Sequence, residues 1–276
     1  MDTILSIIIA GKNDNFRKNN SQVLKFNLEH TVKNIKGLND VELILCDWGS
    51  EIKIVDEIFL EKSENFKCLY VSPNIAAKYN DGASYSFIHP YNAASRRAKG
   101  KYIIFWDADT FLMSEYFKNL YCFVKNLDDK NNINSFYWGP RYPVKYDEYV
   151  NFKDSNQLEK YLIGTNYEVE SMIYGGRFGG CGASILVSKY LWEDCTGFWE
   201  KLVHWGWTDI ELHHRLLTKY NYGGDLGQFG SVWAHLMSDT KEIRNQPKIN
   251  SQINSPEFKA NPSSWGLIDE KLTIIN

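Results

Sequence analysis

The chain has 276 residues, 43% of them hydrophobic and 24% charged, which is typical of a soluble globular protein. Its formal net charge of −3 gives no broad cationic field, so nucleic acid is disfavoured as the main partner. The five cysteines include no Cys-x-x-Cys pair, which argues against a zinc cage or a disulfide framework and favours a reducing compartment.

The N-terminal residues lack a cationic region followed by a long apolar stretch. Elsewhere no segment approaches the ~20 apolar residues that a membrane-spanning helix needs. We therefore expect a cytoplasmic protein without a transmembrane segment, and peripheral association with a membrane is compatible with this expectation.

Four short apolar runs predict strands in the first part of the chain. Residues 5–10 form a continuous apolar run that Gly11 stops, as in a strand buried on both faces. Residues 41–46, 67–71 and 102–106 predict three further strands.

Helical patterns lie between these strands. Ser21 can cap a helix that ends before Gly37, and Pro90 can open a helix that Gly100 closes. The apolar residues that mark the predicted helices are Leu24, Leu28, Val32, Ile35, Ile52, Val55, Phe59, Ala94 and Ala98. Strands that alternate with helices predict a mainly parallel, doubly wound α/β sheet.

The regular alternation is lost after Thr110. We expect aromatic and Gly-rich loops at 136–142 and 174–182, around a strand at 183–187. Residues 241–261 are rich in Asn, Ser, Lys and Pro, which predicts a surface arm or a mobile lid.

Two carboxylates, Asp107 and Asp109, directly follow the apolar strand at 102–106. Open α/β sheets bind ligands at the carboxyl ends of their strands, and hard oxygen ligands suit divalent cations. The pair therefore predicts a site for a metal and a diphosphate, with Asp109 on the metal and Asp107 on the ribose or a metal-bound water. A lone Asp-x-Asp is common, and its ordinary alternative is a solvated turn or a helix cap.

Two later segments strengthen this interpretation: residues 205–212 and residues 233–236. His235 in the second segment is a candidate metal ligand, although a single histidine is more often a core residue. Carboxylate and imidazole ligands with open positions suit Mn²⁺, and Mg²⁺ is also compatible.

Asp209 in the first segment is a candidate general base, because it follows the Gly206 turn at the start of a predicted helix. Its alternative role is to cap that helix. Glu211 lies two residues further, so it points away from Asp209 and makes a structural or an acceptor contact. Asp47, at the end of the second strand, can accept a hydrogen bond from a nucleobase or form a turn.

In this order these features resemble the GT-A fold glycosyltransferases, especially the inverting family 2 enzymes. They are similar to bacterial chondroitin-polymerase domains and to animal galactosyl- and N-acetylgalactosaminyltransferases. The resemblance spans residues 4–237 and rests on residues 6–11, the Asp47-x-Gly49-Ser50 turn, Asn92, Asp107 and Asp109, Gly179-Gly180, Gly197-Phe198, the Trp-Gly-x-x-Asp segment and His235.

The resemblance implies a GT-A, Rossmann-like, mainly parallel twisted sheet with an acceptor-side elaboration. It implies one catalytic domain over residues 1–240, divided into a nucleotide-binding half (1–110) and an acceptor half (111–240), followed by a C-terminal arm or lid (241–276). The implied reaction moves Gal, GalNAc, Glc or GlcNAc from a UDP-sugar to a hydroxyl of a glycan acceptor, with inversion. The expected acceptor is a polysaccharide, a lipopolysaccharide or a capsule glycan, and a glycan on a protein remains an open alternative.

The resemblance also implies roles for individual residues. Uracil would contact Ala10 and Asp47, and the nucleotide would contact Asn92 and Arg96. The remaining implied residues are Gly179 and Gly180 over the donor sugar, Asp107, Asp109 and His235 at the metal and nucleotide, Asp209 as base, and Trp207, Thr208 and Glu211 near the acceptor or sugar. Thr208 stands where the family commonly has Glu, which leaves the sugar specificity open.

Other functions use similar elements. A nucleotidyltransferase needs a Gly-rich basic loop after the first strand, whereas residues 11–15 contain one Gly and one Lys. A glycoside hydrolase uses two carboxylates without the metal constellation. A retaining UDP-sugar transferase, or an inactive protein that binds a nucleotide sugar or glycan, remains an alternative.

Overall fold

Two β-sheets and the helices packed on them form the part of the chain that the structure describes. A computed structural model describes residues 2–14, 20–58, 63–165, 184–237, 250 and 254–276. The strands in these ranges are β1 (Leu5–Gly11), β2 (Val41–Trp48), β3 (Phe66–Val71), β4 (Tyr102–Asp107), β5 (Thr110–Phe111), β6 (Ser135–Gly139), β7 (Arg141–Val144), β8 (Ser184–Ser188), β9 (Asn221–Asp225), β10 (Trp233–Leu236) and β11 (Thr273–Ile275).

Helices connect most of these strands. They are α1 (Asn20–Ile35), α2 (Ile54–Glu57), α3 (Pro73–Tyr79), α4 (His89–Arg96), α5 (Ser114–Asp129), α6 (Tyr146–Tyr149), α7 (Ser155–Ile163), α8 (Lys189–Asp194) and α9 (Thr208–Leu217). A 3-10 turn follows β9 at Leu226–Phe229.

Within the described residues, the larger sheet has the strand order β11-β3-β2-β1-β4-β8-β6-β9. Strands β3, β2, β1 and β4 are parallel, whereas β8 is antiparallel to both of its neighbours. Strand β11 adds an antiparallel edge. The predicted α/β class with a mainly parallel sheet is confirmed.

The smaller sheet has the order β5-β10-β7. Strand β5 begins directly after the Asp-x-Asp segment, and its Thr110 pairs with His235 of β10. This pairing brings two segments that are more than a hundred residues apart to the same edge of the larger sheet.

The central strands are buried on both faces, which explains their continuous apolar sequences. In β1, Ile8 packs in the cluster that also contains residues of α4, α8 and α9. Its neighbours Ile7 and Ile9 pack in the cluster that contains α1 and α5. The sheet therefore lies between two helical layers, as the alternation of side chains along a strand requires.

In the second half of the chain the strand predicted at 183–187 is confirmed as β8, but two other expectations are wrong. A 16-residue helix, α5, follows Thr110, with Phe117, Leu120, Val124 and Leu127 on its buried face. The loop predicted at 136–142 is wrong as well, because β6 and β7 occupy this segment and Phe136 and Trp138 are buried.

Smaller differences concern the helices of the first half. The α1 helix begins at Asn20, so Ser21 lies inside it and does not cap it. The second predicted helix is reduced to the four residues of α2, and Ile52 is 56% exposed. Phe59 lies outside the described residues.

None of the helices in the described ranges is long and apolar enough to cross a membrane.

Candidate active site

The carboxyl ends of the central strands carry the polar residues of the candidate site. In the parallel register, Ala10 at the end of β1 lies beside Asp107 at the end of β4, and Gly11 lies beside Asp47 at the end of β2. The sheet thus places two of the predicted site carboxylates on either side of β1.

Helix α4 contacts Asp107 through the side chain of Tyr91. The hydroxyl of Tyr91 donates a hydrogen bond to Oδ1 of Asp107, at 3.2 Å. The pKa of Asp107 is raised to about 7, mainly by burial and in addition by the carboxylate of Asp109, while Arg141 and His235 oppose the shift. Two carboxylates therefore repel each other in a poorly solvated place, which a cation would relieve.

Asp109 and His235 are neighbours, as predicted for two ligands of one ion. Nε2 of His235 lies 3.6 Å from Oδ2 of Asp109, and both side chains are largely buried. The backbone fixes this approach, because the N–H of Leu236 donates to the carbonyl of Asp109 at 2.8 Å. The other ring nitrogen of His235, Nδ1, is buried without a hydrogen-bond partner.

These donors fit a divalent cation. No three His, Cys, Asp or Glu side chains of the described ranges form a closed metal cluster. Asp109 and His235 nevertheless give one carboxylate and one imidazole, and Mg²⁺ and Mn²⁺ sites often use few protein ligands and leave positions to phosphates and water. An open site of this kind suits an ion that binds together with a diphosphate.

Asp209 lies in the first turn of α9, next to an unusual turn. Gly206 and Trp207 both have positive φ, 88° and 65°, and Trp207 occupies the N-cap position. The Asp209 carboxylate accepts a hydrogen bond from the N–H of Ile210 at 2.9 Å. Burial raises its pKa, and the backbone hydrogen bonds and Arg141 act in the opposite direction.

Arg141 is a site residue that the sequence prediction missed. Its guanidinium is close enough to stabilise the ionised forms of both Asp107 and Asp209. It begins β7, where it pairs with Trp233, two residues before His235. Arg141 thus acts electrostatically on both the predicted metal site and the predicted base. In the sequence, Arg141 stands out only as a cationic residue within an aromatic segment.

Glu211 takes the structural role that the sequence allowed. Its side chain is 1% exposed, and both carboxylate oxygens accept from Arg215, at 2.8 and 3.0 Å. Arg215 in turn donates to the carbonyls of Cys195 and Gly197. This buried network anchors α9, the helix that carries Asp209. Trp207 and Thr208 lie at the start of the same helix, and their predicted contacts with the acceptor or the sugar stay predictions.

A cavity of about 330 Å³ opens at the carboxyl ends of β1, β2 and β3. It is lined by Lys12, Asn13, Asp14, Gly49, Glu51, Pro73, Ala76, Ala77, Asn80, Ala83 and Ser84. Ala10 and Gly11, at the end of β1, lie beside Asp107 and Asp47 in the parallel register, so the cavity and Asp107 share this edge of the sheet.

Asp47 organises the wall of this cavity. Its carboxylate accepts hydrogen bonds from the hydroxyl of Ser50 and from the N–H of Ile54, the latter at 2.8 Å, and the residue is fully buried. These contacts match the turn-forming alternative. Gly49 has a φ of +76°, and a Cβ there would lie 2.9 Å from the Cβ of Ala76, so only glycine lets α3 approach this loop.

Asn92 and Arg96 lie on α4 and contact protein segments behind the site. The Asn92 amide donates to Phe198 O at 2.9 Å and accepts from Phe198 N at 2.9 Å. The Arg96 guanidinium lies 4.6 Å from the ring centre of Trp265. Their predicted nucleotide contacts stay predictions. Gly179 and Gly180 lie outside the described residues.

Comparison with known proteins identifies the fold. No protein-family model and no curated protein matches the chain. A crystal structure of GalNAc-T7 with UDP, GalNAc and Mn²⁺ has 14% identity and a TM-score of 0.54, and the match covers 86% of this chain and 44% of that chain. A crystal structure of S. aureus TarS 1-349 in complex with UDP has 15% identity and a TM-score of 0.50, covering 86% and 59%.

The chain thus spans less than two thirds of the length of either structure. At these identities the likeness concerns the fold, and the predicted GT-A fold is confirmed.

Proposed function

We propose that the protein is a divalent-cation-dependent glycosyltransferase that moves a hexose or N-acetylhexosamine (Gal, GalNAc, Glc or GlcNAc) from a UDP-sugar to a glycan hydroxyl. The transfer inverts the anomeric centre, and Asp209 is the general base. The acceptor is a polysaccharide, and the reaction takes place in the cytoplasm, with Mn²⁺ or Mg²⁺ as the cation.

One observation carries the proposal: three distant segments supply complementary groups to one edge of the sheet. Asp109 lies 3.6 Å from His235. Arg141 acts electrostatically on both Asp107 and Asp209. A set of acidic, imidazole and cationic groups at a ligand-binding sheet edge is typical of a catalytic site.

The ligands of the two similar structures support the choice of donor. The TarS structure contains UDP, and the GalNAc-T7 structure contains UDP, GalNAc and Mn²⁺. The open pair of ligands here suits such a cation, and the adjoining cavity of about 330 Å³ suits a nucleoside.

The residues divide the work of an in-line displacement. Asp109 and His235 would hold the cation, which would neutralise charge on the diphosphate leaving group. Asp209 accepts the proton of the acceptor hydroxyl as that oxygen attacks the anomeric carbon, and its raised pKa makes it a stronger base than an exposed aspartate. Arg141 opposes the rise in the pKa of Asp209 and so favours the ionised form of this base.

Calorimetric titration with UDP tests the donor site. We expect binding by the wild-type chain in the presence of Mn²⁺, and at least about tenfold weaker binding without Mn²⁺ or with Asp109→Ala. Asp129→Ala is the matched control, because Asp129 is exposed at the end of α5. UDP binding that ignores both Mn²⁺ and Asp109 would contradict the proposed metal site.

Release of UDP from UDP-sugars in the presence of glycan acceptors tests the reaction. Asp209→Asn should abolish this release while UDP binding survives. If the wild-type chain binds UDP and the substitution changes no measurable turnover, the inactive binding protein becomes the better explanation.

A further inference from the structure

Asn80 occupies a defined place on the wall of the cavity described above. It is the C-cap residue of α3 and is 8% exposed, and it lines the cavity together with Ala76 and Ala77 of the same helix. Its backbone carbonyl accepts a hydrogen bond from the N–H of Ala83 at 2.8 Å. Helix α3 before Asn80 and this hydrogen bond after it therefore fix its backbone at the cavity.

The side-chain amide of Asn80 is fixed in one orientation by Trp48. The indole Nε1 of Trp48 donates to Oδ1 of Asn80 at 2.8 Å, and both atoms are buried. An indole N–H can only donate, so the atom of the amide that accepts from it must be the oxygen. The group of Asn80 that remains for a ligand is the Nδ2 amide, which is a pure donor.

Trp48 is itself immobile. It is fully buried, and its ring stacks on the ring of His89 with a centroid distance of 5.9 Å and an interplanar angle of 14°. Turning the Asn80 amide over would set the Nδ2 group against the indole N–H and leave a buried donor unpaired, which costs free energy. The protein thus presents a preset hydrogen-bond donor on this wall.

The rest of the cavity suits a flat heterocycle with a polar edge. Pro73, Ala76 and Ala77 form an apolar side, while Asp14 and Glu51 supply acceptors at the rim. The volume of about 330 Å³ lies at the small end of ligand sites. A nucleoside fits this size better than a complete sugar nucleotide does.

We propose that Asn80 determines the nucleobase specificity of the donor site, with Nδ2 donating to the C4 carbonyl oxygen of uracil. The proposal rests on the proposed function, because it requires the donor nucleoside in this cavity. Cytosine carries an amino group at the same position, and this group is a donor. Two donors would then face each other and both lose their water, so cytidine nucleotides are rejected.

Binding of UMP and CMP to the full-length chain measures this preference. We expect wild type to bind UMP about 5- to 150-fold more tightly than CMP, which is the range that a buried donor without a partner costs. In Asn80→Asp the oxygen that accepts from Trp48 is kept and the donor becomes an acceptor. The UMP preference should disappear or reverse.

Two further variants separate this role from general effects. Asn126→Asp makes the same chemical change on an exposed residue of α5 and should keep the UMP preference. Trp48→Phe keeps a buried ring but removes the indole N–H, so the Asn80 amide is free to turn over. We expect its preference for UMP over CMP to fall by more than its affinity for UMP.

The outcomes distinguish this inference from the proposed function. Equal binding of UMP and CMP by wild type overturns the role of Asn80 and leaves the transferase proposal standing. So does an unchanged preference in a folded Asn80→Asp or Trp48→Phe variant, with folding checked by thermal melting. Failure of wild type to bind UMP, CMP or UDP with Mn²⁺ overturns the transferase proposal itself.

Discussion

Burial of the Asp209 carboxylate raises its pKa, which has a direct consequence for the pH dependence of the proposed reaction. The base must be ionised to accept a proton, so kcat falls as the pH drops through the raised pKa. We therefore expect the acid limb of the kcat profile above the ~3.9 of an unperturbed aspartic acid. Initial rates of UDP release at saturating donor and acceptor locate this limb. Asp209→Asn should lower kcat by about 10²- to 10⁴-fold, and an unaltered rate and limb in this variant would rule out Asp209 as the base.

The same shift predicts the effect of Asp209→Asn on stability. A carboxyl whose pKa is raised by folding favours the folded state while it is protonated, and this contribution is lost as the pH rises through the folded-state pKa. At neutral pH the buried charge therefore costs stability, and Asn removes it while keeping an oxygen for the N–H of Ile210. The melting temperature of Asp209→Asn should equal or exceed that of wild type near neutral pH and lose this advantage in acid. A lower melting temperature at neutral pH would contradict this account of the burial.

Trp207 stores backbone strain beside the predicted base. A non-glycine residue at φ 65° pays roughly 1–2 kcal/mol relative to glycine. Trp207→Gly should therefore be more stable than Trp207→Ala by about 1 kcal/mol in urea unfolding, although both lose the indole. Both variants should also lose transferase activity if the turn positions Asp209 or if the indole contacts the sugar. Equal stability of the two variants would show that the turn is not strained.

At the scale of single elements, α9 depends on the ion pair between Glu211 and Arg215. The two side chains are 1% and 3% exposed. Arg215→Met leaves a buried carboxylate without its partner, and breaking such a pair costs about 3–5 kcal/mol. Adding Glu211→Leu to Arg215→Met should restore part of this loss, because the isolated charge is removed while the carbonyls of Cys195 and Gly197 stay unpaired. A double variant no more stable than Arg215→Met would contradict this explanation of the coupling.

The elements that the sequence predicted correctly are those with a local signal. Strands β1 and β2 are fully buried, and β4 is buried up to Asp107, so their apolar runs are visible without knowledge of neighbours. Helix α5 also carries a helical apolar pattern in Phe117, Leu120, Val124 and Leu127, so the sequence contained the signal for this element as well. Strands β6 and β7 are short and aromatic, and such runs acquire their conformation from the strands they pair with.

The same contrast between local and non-local signals applies to the residues of the candidate site. Asp109 and His235 could be predicted together because each directly follows or lies in an apolar segment of familiar type. Arg141 could not be predicted from the sequence, because its proximity to Asp107 and Asp209 depends on strand pairing across the smaller sheet. The hydrogen bond between Trp48 and Asn80 was equally hidden, since the two residues are 32 positions apart in the sequence.

At the scale of the whole molecule, the described part of the C-terminal segment (254–276) is packed against α3, α4 and β3. Trp265 is 2% exposed, and Arg97 donates to the carbonyls of Gly266 and Leu267. Glu270 accepts from Lys78 and Tyr79 of α3, the helix that lines the cavity. The segment then ends in β11 at the sheet edge.

This packing predicts that stability and nucleotide binding depend jointly on Trp265. Trp265→Ala removes a buried indole from the core and should cost about 3–5 kcal/mol in urea unfolding. Because the same segment supports α3 through Glu270, UDP should also bind more weakly to the folded variant under conditions where unfolding is negligible. Ile274→Ala is the matched control, since Ile274 lies in the same segment but is 53% exposed, and it should change both quantities little. If Trp265→Ala lowers stability but leaves UDP affinity at the wild-type value, the segment stabilises the fold without supporting the cavity.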